Sequence, residues 1–114
     1  MQCASILKND RILWTALAAK TLFEKARGLM FRAKAIPLLF DFGRDGSRAN
    51  AIHSIFCPVF DAVFLNERKR VVCIMENVKP FQLLLYSQKP CRFLIELPQG
   101  ESRKVKMGDS LRWG

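Results

Sequence analysis

The chain has 114 residues, the length of one domain, and half of them are hydrophobic, which is enough for a buried core. No stretch approaches the roughly 20 consecutive apolar residues of a membrane-spanning helix, so we predict one soluble domain over 1–114 with no membrane span. The net charge of +9 favours an acidic partner, such as nucleic acid or an anionic membrane surface. Basic residues spread over the surface for solubility are the alternative.

The four cysteines lie far apart, form no Cys-x-x-Cys pair, and are accompanied by one histidine, His53. The ligand spacings of structural zinc are therefore absent, and we expect neither a metal site nor another cofactor. Cys57, Cys73 and Cys91 lie in apolar runs, which is typical of small buried hydrophobic residues. Unpaired cysteines and the lack of a recognisable signal peptide favour a reducing, cytoplasmic location.

The first elements in chain order are two strands, 4–8 and 11–19, on either side of the turn-forming residues Asn9 and Asp10. Together they fit a β-hairpin, although residues 16–20 are equally compatible with the start of a helix.

A short helix is predicted over 21–27. Thr21 and Glu24 have the spacing of a capping box, in which each side chain bonds the other residue's backbone N–H. Gly28 follows as a helix stop, because glycine adopts the left-handed conformation without strain.

Apolar runs of strand length, separated by turn residues, fill the rest of the chain. The predicted strands are 38–42, 51–56, 60–65, 70–75, 91–97 and 110–113, with a short apolar run at 83–86 and one helical turn in 101–106. Roughly eight short strands at near-regular spacing predict a mainly β domain of the α+β type. Its small antiparallel sheet is expected to be partly or fully closed into a β-barrel, with one or two short helices.

Asp61 and His53 are the most informative polar residues, because each lies within an apolar run. A carboxylate is costly to bury unless it is hydrogen-bonded, so Asp61 is either a structural anchor, which we favour, or part of a pocket. A lone histidine in such a run is more often a hydrogen-bonded core residue than a ligand. If the strands 51–56 and 60–65 are adjacent, His53 and Asp61 can form the histidine–carboxylate pair that general acid–base catalysis uses.

The partners expected for the buried carboxylates come mainly from the predicted helix. We expect Asp61 to be buried and held by backbone N–H groups of the 21–27 region or by a basic side chain there. Glu96 is expected either to pair with Arg27 or Arg32 or to lie on a solvated strand face. The candidate functional cluster, with no catalytic residue assigned, is His53, Asp61, Glu96 and Arg27.

Arg68, Lys69 and Arg70 form a basic cluster at a predicted hairpin tip, where they are candidate phosphate contacts. A solvated turn is the alternative, since no Walker loop, dinucleotide fingerprint or aromatic RNA-binding pattern accompanies them. Cys57 near His53 is a combination used for acyl transfer. No oxyanion-loop pattern or second catalytic residue supports that function.

Four segments in a fixed order carry a family resemblance. They are Thr-Leu-Phe-Glu-Lys-Ala-Arg-Gly-Leu-Met at 21–30, Pro-Val-Phe-Asp-Ala at 58–62, Ile-Glu-Leu-Pro-Gln-Gly at 95–100 and Gly-Asp at 108–109. They resemble the uncharacterised family called domain of unknown function 192, and the resemblance runs from about residue 8 to the end. It implies a small β-barrel-like domain and no established activity, substrate or cofactor.

The chain departs from the family pattern at three places. Lys25 stands where the family usually has an arginine, and a lysine makes a looser contact than a forked guanidinium. The proline before Asp61 is at Pro58, one place earlier than usual. Ile52 and His53 occupy the place of a Trp-Met pair, which resembles a histidine-bearing subgroup.

These patterns predict a domain that binds a ligand or a partner and has no catalytic activity of its own, because no complete catalytic constellation accompanies the core. One alternative is a basic protein associated with nucleic acid, which requires a single contiguous basic face. That face would hold several of Arg44, Arg48, Arg68, Lys69, Arg70 and Lys89. The other alternative is an enzyme that uses His53 and Asp61.

Overall fold

The computed structural model of the protein describes residues 2–19, 32–47, 50–54 and 56–114. These residues form six strands and one 3-10 turn: β1 (Gln2–Lys8), β2 (Arg11–Ala19), β3 (Leu38–Gly46), β4 (Phe60–Leu65), β5 (Val71–Val78), β6 (Cys91–Pro98) and the turn Glu101–Lys104. The helix predicted at 21–27 lies outside the described residues. Within the described ranges, the 3-10 turn is the only helical element.

The six strands form one sheet in the order β1-β2-β3-β6-β4-β5. All neighbouring strands are antiparallel except β2 and β3, which run parallel from the pair Leu17 and Leu38 to the pair Ala19 and Phe40. The prediction of a mainly β, partly closed barrel is confirmed: the sheet is a mixed half-barrel.

The C-terminal segment 108–112 lies between the two edge strands and closes part of the open side of the half-barrel. Leu7 on β1 donates its N–H to the carbonyl of Arg112 at 2.8 Å, and Leu111 donates to the carbonyl of Lys69 at 2.9 Å. The strand predicted at 110–113 is therefore reduced to isolated bridges. These bonds satisfy edge groups that a sheet otherwise leaves open to pairing with another chain.

Two core layers lie on the two faces of the sheet, because successive side chains of a strand point to opposite faces. Val63 and Leu65 enter the barrel interior, whereas Phe60 and Phe64 enter an outer layer between the sheet and the loops that cover it. Every residue of β4 is buried. A strand that is covered on both faces has a continuous apolar sequence, and for this reason the sequence predicts the bounds of β4 well.

The outer layer is covered in part by two connecting segments, 50–58 and 79–90. The prediction of a strand at 51–56 is wrong, since the described residues of that segment form only an isolated bridge between Ile52 and Leu85. Its apolar residues are needed to cover the sheet, and apolar content alone does not distinguish a strand from such a buried segment.

Ser54 joins these two segments. Its side chain is fully buried, and its Oγ donates to the carbonyl of Lys79 at 2.6 Å and accepts the N–H of Gln82 at 2.9 Å. Its backbone carbonyl also accepts the N–H of Phe81 at 3.1 Å. One small residue therefore fixes the conformation of both segments.

Candidate functional site

Asp61 on β4 is fully buried and holds the chain that follows β6. Its Oδ2 accepts the N–H of Gly100 at 2.9 Å and both the N–H and the hydroxyl of Ser102 at 3.1 and 2.7 Å. Its Oδ1 accepts the N–H of Asn77 at 3.0 Å. Burial raises the pKa of Asp61, but these hydrogen bonds outweigh burial and hold the pKa below its ordinary value.

The prediction that Asp61 is buried and hydrogen-bonded is confirmed. The 21–27 region, the predicted source of donors, lies outside the described residues. The donors that the structure describes belong to the end of β5 and to the segment after β6, and all of them are neutral. Their arrangement is that of a structural anchor.

Glu96 on β6 is a different kind of buried carboxylate. It is 4% exposed, and no group among the described residues donates to its Oε1. Burial raises the pKa of Glu96 to about 8. Burial, and then the charge of Glu96, also raise the pKa of Cys57 to about 11. The two groups therefore share an apolar environment in the outer layer that favours their protonated forms.

The partner predicted for Glu96 is absent from the described contacts, since no ion pair joins it to Arg32. Arg27, the other predicted partner, lies outside the described residues. Glu96 is also not on a solvated strand face. Successive side chains of β6 point to opposite faces of the sheet, so Glu96 lies on the same face as Leu94, which is buried in the outer layer.

The predicted cluster of His53, Asp61, Glu96 and Arg27 is described only in part, because Arg27 lies outside the described residues. His53 lies in the connecting segment 50–54, and the neighbours of β4 are β5 and β6, so the strand adjacency needed for a pair of His53 and Asp61 is absent. Among the described residues, the donors to Asp61 are Asn77, Gly100 and Ser102. Cys57 is 7% exposed, and its raised pKa disfavours the thiolate that a nucleophile requires.

The basic cluster lies at the β4–β5 hairpin, as predicted. Arg68 and Arg70 are exposed. The Lys69 ammonium instead donates to the carbonyl of Trp113 at 3.0 Å and lies 4.4 Å from the centre of its ring. Two of the three predicted phosphate contacts therefore project into solvent, and the third is engaged with the C-terminal segment.

A cavity of about 540 Å³, partly open to solvent, lies against the inner face of β1, β2 and β3, and we call it the β1–β3 cavity. Small residues create the space: Ala4 and Ala18 stand where larger side chains would fill the interior. The lining residues are Cys3, Ala4, Ala18, Ala19, Leu39, Asp41, Phe42, Gly43, Phe93, Trp113 and Gly114. The Phe93 and Trp113 rings pack edge to face, with their centres 5.0 Å apart.

Asp41 is the only residue of this lining that has an acidic or basic side chain. Arg92 donates to it twice, from Nε to Oδ1 at 2.9 Å and from Nη2 to Oδ2 at 3.1 Å. The N–H of Gly43, which has a φ of 93°, also donates to Oδ1 at 2.8 Å. The carboxylate is thus held in one orientation at the edge of an apolar cavity.

This cavity was not predicted from the sequence. The signal lay in the alanines of β1 and β2, which occupy positions that alternate with larger residues. That signal becomes interpretable only when the pairing of β2 with β3 brings Ala18 and Leu39 beside each other.

Residues 5–113 match the model of the family DUF192, described as Uncharacterized ACR. The chain belongs to the DUF192 family. The match covers all four resembling segments, so the resemblance predicted from the sequence is confirmed. Membership of a histidine-bearing subgroup stays a prediction.

Two solved structures share the fold of this DUF192 protein. One, described as a putative transcription regulator from Sinorhizobium meliloti, has 22% identity and a TM-score of 0.82, covering 97% of this chain and 92% of that chain. The other, a protein of unknown function from Novosphingobium aromaticivorans, has 21% identity and a TM-score of 0.81, covering 97% and 84%. No curated protein sequence matches significantly. At these identities the likeness establishes the fold alone.

In the part of the chain that the structure describes, no group of three or more His, Cys, Asp or Glu side chains is arranged to hold a metal ion. No helix in those residues is long and apolar enough to cross a membrane.

Proposed function

We propose that this DUF192 protein binds a small ligand in the β1–β3 cavity and has no catalytic role of its own. The observation that carries the proposal is the cavity itself. Its volume of about 540 Å³ lies within the range of roughly 300–1,000 Å³ found for small-molecule sites. Its lining also has the usual composition of such sites, with apolar and aromatic side chains around a single oriented charged group.

The lining indicates the chemical class of the ligand. Phe93 and Trp113 contribute aromatic rings and Leu39 an aliphatic side chain to the lining, which suits a planar ring compound. Asp41 accepts hydrogen bonds only, because its carboxylate is ionised beside Arg92. We therefore infer a flat apolar compound that carries a hydrogen-bond donor or a positive charge.

A purely binding role is supported by the environment of the candidate catalytic groups. The oxygens of Asp61 accept hydrogen bonds from the backbone and from Ser102, and Cys57 is buried. Neither group lines the β1–β3 cavity.

A thermal-shift screen tests the proposal. The panel contains planar ring compounds in matched sets with a donor, with a positive charge, with a carboxylate and with no polar group. A ligand that binds only the native state raises the melting temperature. We expect the donor-bearing and cationic members to do so, and the carboxylates to fail because a carboxylate offers no hydrogen-bond donor to Asp41, which only accepts.

The matched variants are Ala18→Leu, which fills the cavity, and Thr15→Leu, which places the same side chain on an exposed position of β2. We expect the shift to disappear in Ala18→Leu and to persist in Thr15→Leu. An equal shift in both variants would show that the ligand binds elsewhere and would refute the site.

Association with nucleic acid is the second candidate function. It is favoured by the net charge of +9 and by Arg68 and Arg70, which are exposed on one hairpin. A structural neighbour is also described as a putative transcription regulator. Replacing both arginines with glutamate should abolish binding to labelled DNA at low salt. No shift of DNA or RNA by the parent protein would eliminate this candidate.

A reducing, cytoplasmic compartment stays part of the proposal. It is supported by the four cysteines, which are all free thiols.

A further inference from the structure

The two connecting segments over the outer layer carry an exposed apolar patch, defined by Phe56, Phe81, Leu83 and Leu84. Their exposed fractions are 53%, 67%, 74% and 51%. The rings of Phe56 and Phe81 contact each other edge to face, with their centres 5.8 Å apart. Single exposed apolar residues are common on protein surfaces, whereas a contiguous group of this kind marks an interaction site.

The two phenylalanines of this patch, which are exposed, have an unfavourable backbone conformation. Phe56 has a φ of 56° and Phe81 a φ of 68°, in a region where bulky residues are rare. Ser54 maintains both conformations, since its carbonyl accepts the N–H groups of Cys57 and Phe81, each at 3.1 Å. Backbone strain that the surrounding structure stabilises is concentrated at functional sites.

The charges beside the patch are mainly positive. Lys79 and Lys89 are exposed at the two ends of the segment that carries Phe81, Leu83 and Leu84. The nearest preceding acidic residue is Glu76, and the whole chain carries +9. The patch therefore combines protruding apolar side chains with flanking ammonium groups.

We propose that this patch docks on an anionic lipid surface. Phe81, Leu83 and Leu84 enter the boundary between headgroups and acyl chains, where apolar side chains leave water. Lys79 and Lys89 remain in the headgroup layer and contact anionic lipids. The mode is peripheral, because only segment tips are inserted.

The composition of the patch distinguishes this partner from two others. Nucleic acid offers phosphates to the lysines but gives little to the exposed leucines Leu83 and Leu84. A second copy of the chain, related by two-fold symmetry, would use the same patch and bring Lys79 and Lys89 of both copies together. These like charges would repel each other, whereas an anionic lipid surface offers acyl chains to the apolar side chains and negative headgroups to the lysines.

Co-sedimentation with vesicles tests the proposal. The protein should pellet with phosphatidylcholine vesicles that contain phosphatidylserine, should pellet much less with phosphatidylcholine alone, and should be released as salt rises. The double variant Phe81→Ser/Leu83→Ser should bind at least about tenfold more weakly. Ile12→Ser removes an equally exposed apolar side chain on the β1–β2 hairpin and should leave binding unchanged.

Charge and insertion are measured separately. Lys79→Glu/Lys89→Glu should weaken binding to the anionic vesicles more than Arg103→Glu, which changes an exposed basic residue of the 3-10 turn. In Phe81→Trp, anionic vesicles should shift the added indole fluorescence to shorter wavelength, a positive result that does not depend on a loss of binding. Absence of pelleting by the parent, or equal loss in Ile12→Ser, would overturn the proposal. A dimer in solution that the double variant dissociates would overturn it in favour of self-association.

Discussion

Asp61 and Glu96 lie on the neighbouring strands β4 and β6, one residue apart in register, yet their carboxylates enter opposite faces of the sheet. Asp61 pairs with Leu97, whereas Glu96 pairs with Ala62. Alternation therefore directs Asp61 to the side of Val63 and Glu96 to the side of Phe64. The Asp61 carboxylate accepts four hydrogen bonds, whereas no described residue donates to Oε1 of Glu96, so the two carboxylates have opposite effects on stability.

Removing the Asp61 carboxylate should destabilise the protein strongly. Asp61→Ala leaves the part-buried N–H of Gly100 and the buried N–H and hydroxyl of Ser102 without an acceptor, and we expect a loss of about 2–4 kcal/mol in the free energy of unfolding. Asp61→Asn should cost less, because every donor is neutral and one amide oxygen still accepts. Denaturant unfolding of both variants beside the parent gives the two values.

The pH dependence of the Asp61 effect has a defined sign. The pKa of Asp61 is lowered on folding, so its stabilisation is complete above the ordinary aspartate pKa and is lost as the pH falls through the folded value. The difference between the parent and Asp61→Asn should therefore shrink in acid. Asp10→Asn, at an exposed ion pair, is the control and should be nearly neutral. An unchanged unfolding midpoint in Asp61→Ala would contradict the anchoring role.

Glu96 should make the protein less stable as the pH rises. Its folded pKa of about 8 exceeds the ordinary glutamate value, so between these values the folded state holds a proton that the unfolded state releases. Each pH unit in that interval removes up to about 1.4 kcal/mol of stability. Glu96→Gln should abolish this slope and raise the free energy of unfolding at pH 8 by a few kcal/mol.

The measurement is the free energy of unfolding at several pH values between the two pKa values, for the parent, Glu96→Gln and Glu76→Gln. Glu76 is exposed on β5, so its variant should follow the parent curve. Parallel curves for the parent and Glu96→Gln would show that Glu96 is ionised in the folded protein.

How much of the fold is predictable from sequence depends on the range of the interactions. The hairpin of β1 and β2 is predictable because Asn9 and Asp10 tolerate positive φ angles, which are 50° and 66° in the structure. The span of β4 is predictable from its continuous apolar run. The parallel pairing of β2 with β3 and the position of β6 between β3 and β4 depend on contacts between distant residues, which local patterns do not encode.

The candidate site was less predictable than the fold. The apolar surroundings of Asp61 correctly indicate burial, but its described donors come from residues 16, 39 and 41 positions later in the chain. For Glu96, the strand pattern fits either a solvated or a buried face, and only the covering segments decide between them. The β1–β3 cavity depends on which small residues lie opposite one another, a consequence of register rather than of composition.

Cys3 should be the one cysteine that reacts readily in the native protein. It is exposed, whereas burial raises the pKa of both Cys57 and Cys91 to about 11 and also raises that of Cys73. Because alkylation requires the thiolate, we expect mass spectrometry to show one fast modification in the native protein and four after unfolding. Rapid native modification of Cys57 or Cys91 would contradict the burial of the outer layer.

The central claim, that the β1–β3 cavity is a ligand site, is tested most directly by titrating the protein with the fluorescent probe N-phenyl-1-naphthylamine, an uncharged aromatic compound with one N–H donor. The parent, Ala18→Leu, Thr15→Leu and Phe81→Ser are compared, the last to remove binding at the exposed apolar patch. We predict saturable binding in the parent, Thr15→Leu and Phe81→Ser, and an affinity at least about tenfold weaker in Ala18→Leu, whose added side chain occupies the cavity. An affinity in Ala18→Leu equal to that of the parent, at unchanged stability, would contradict the claim.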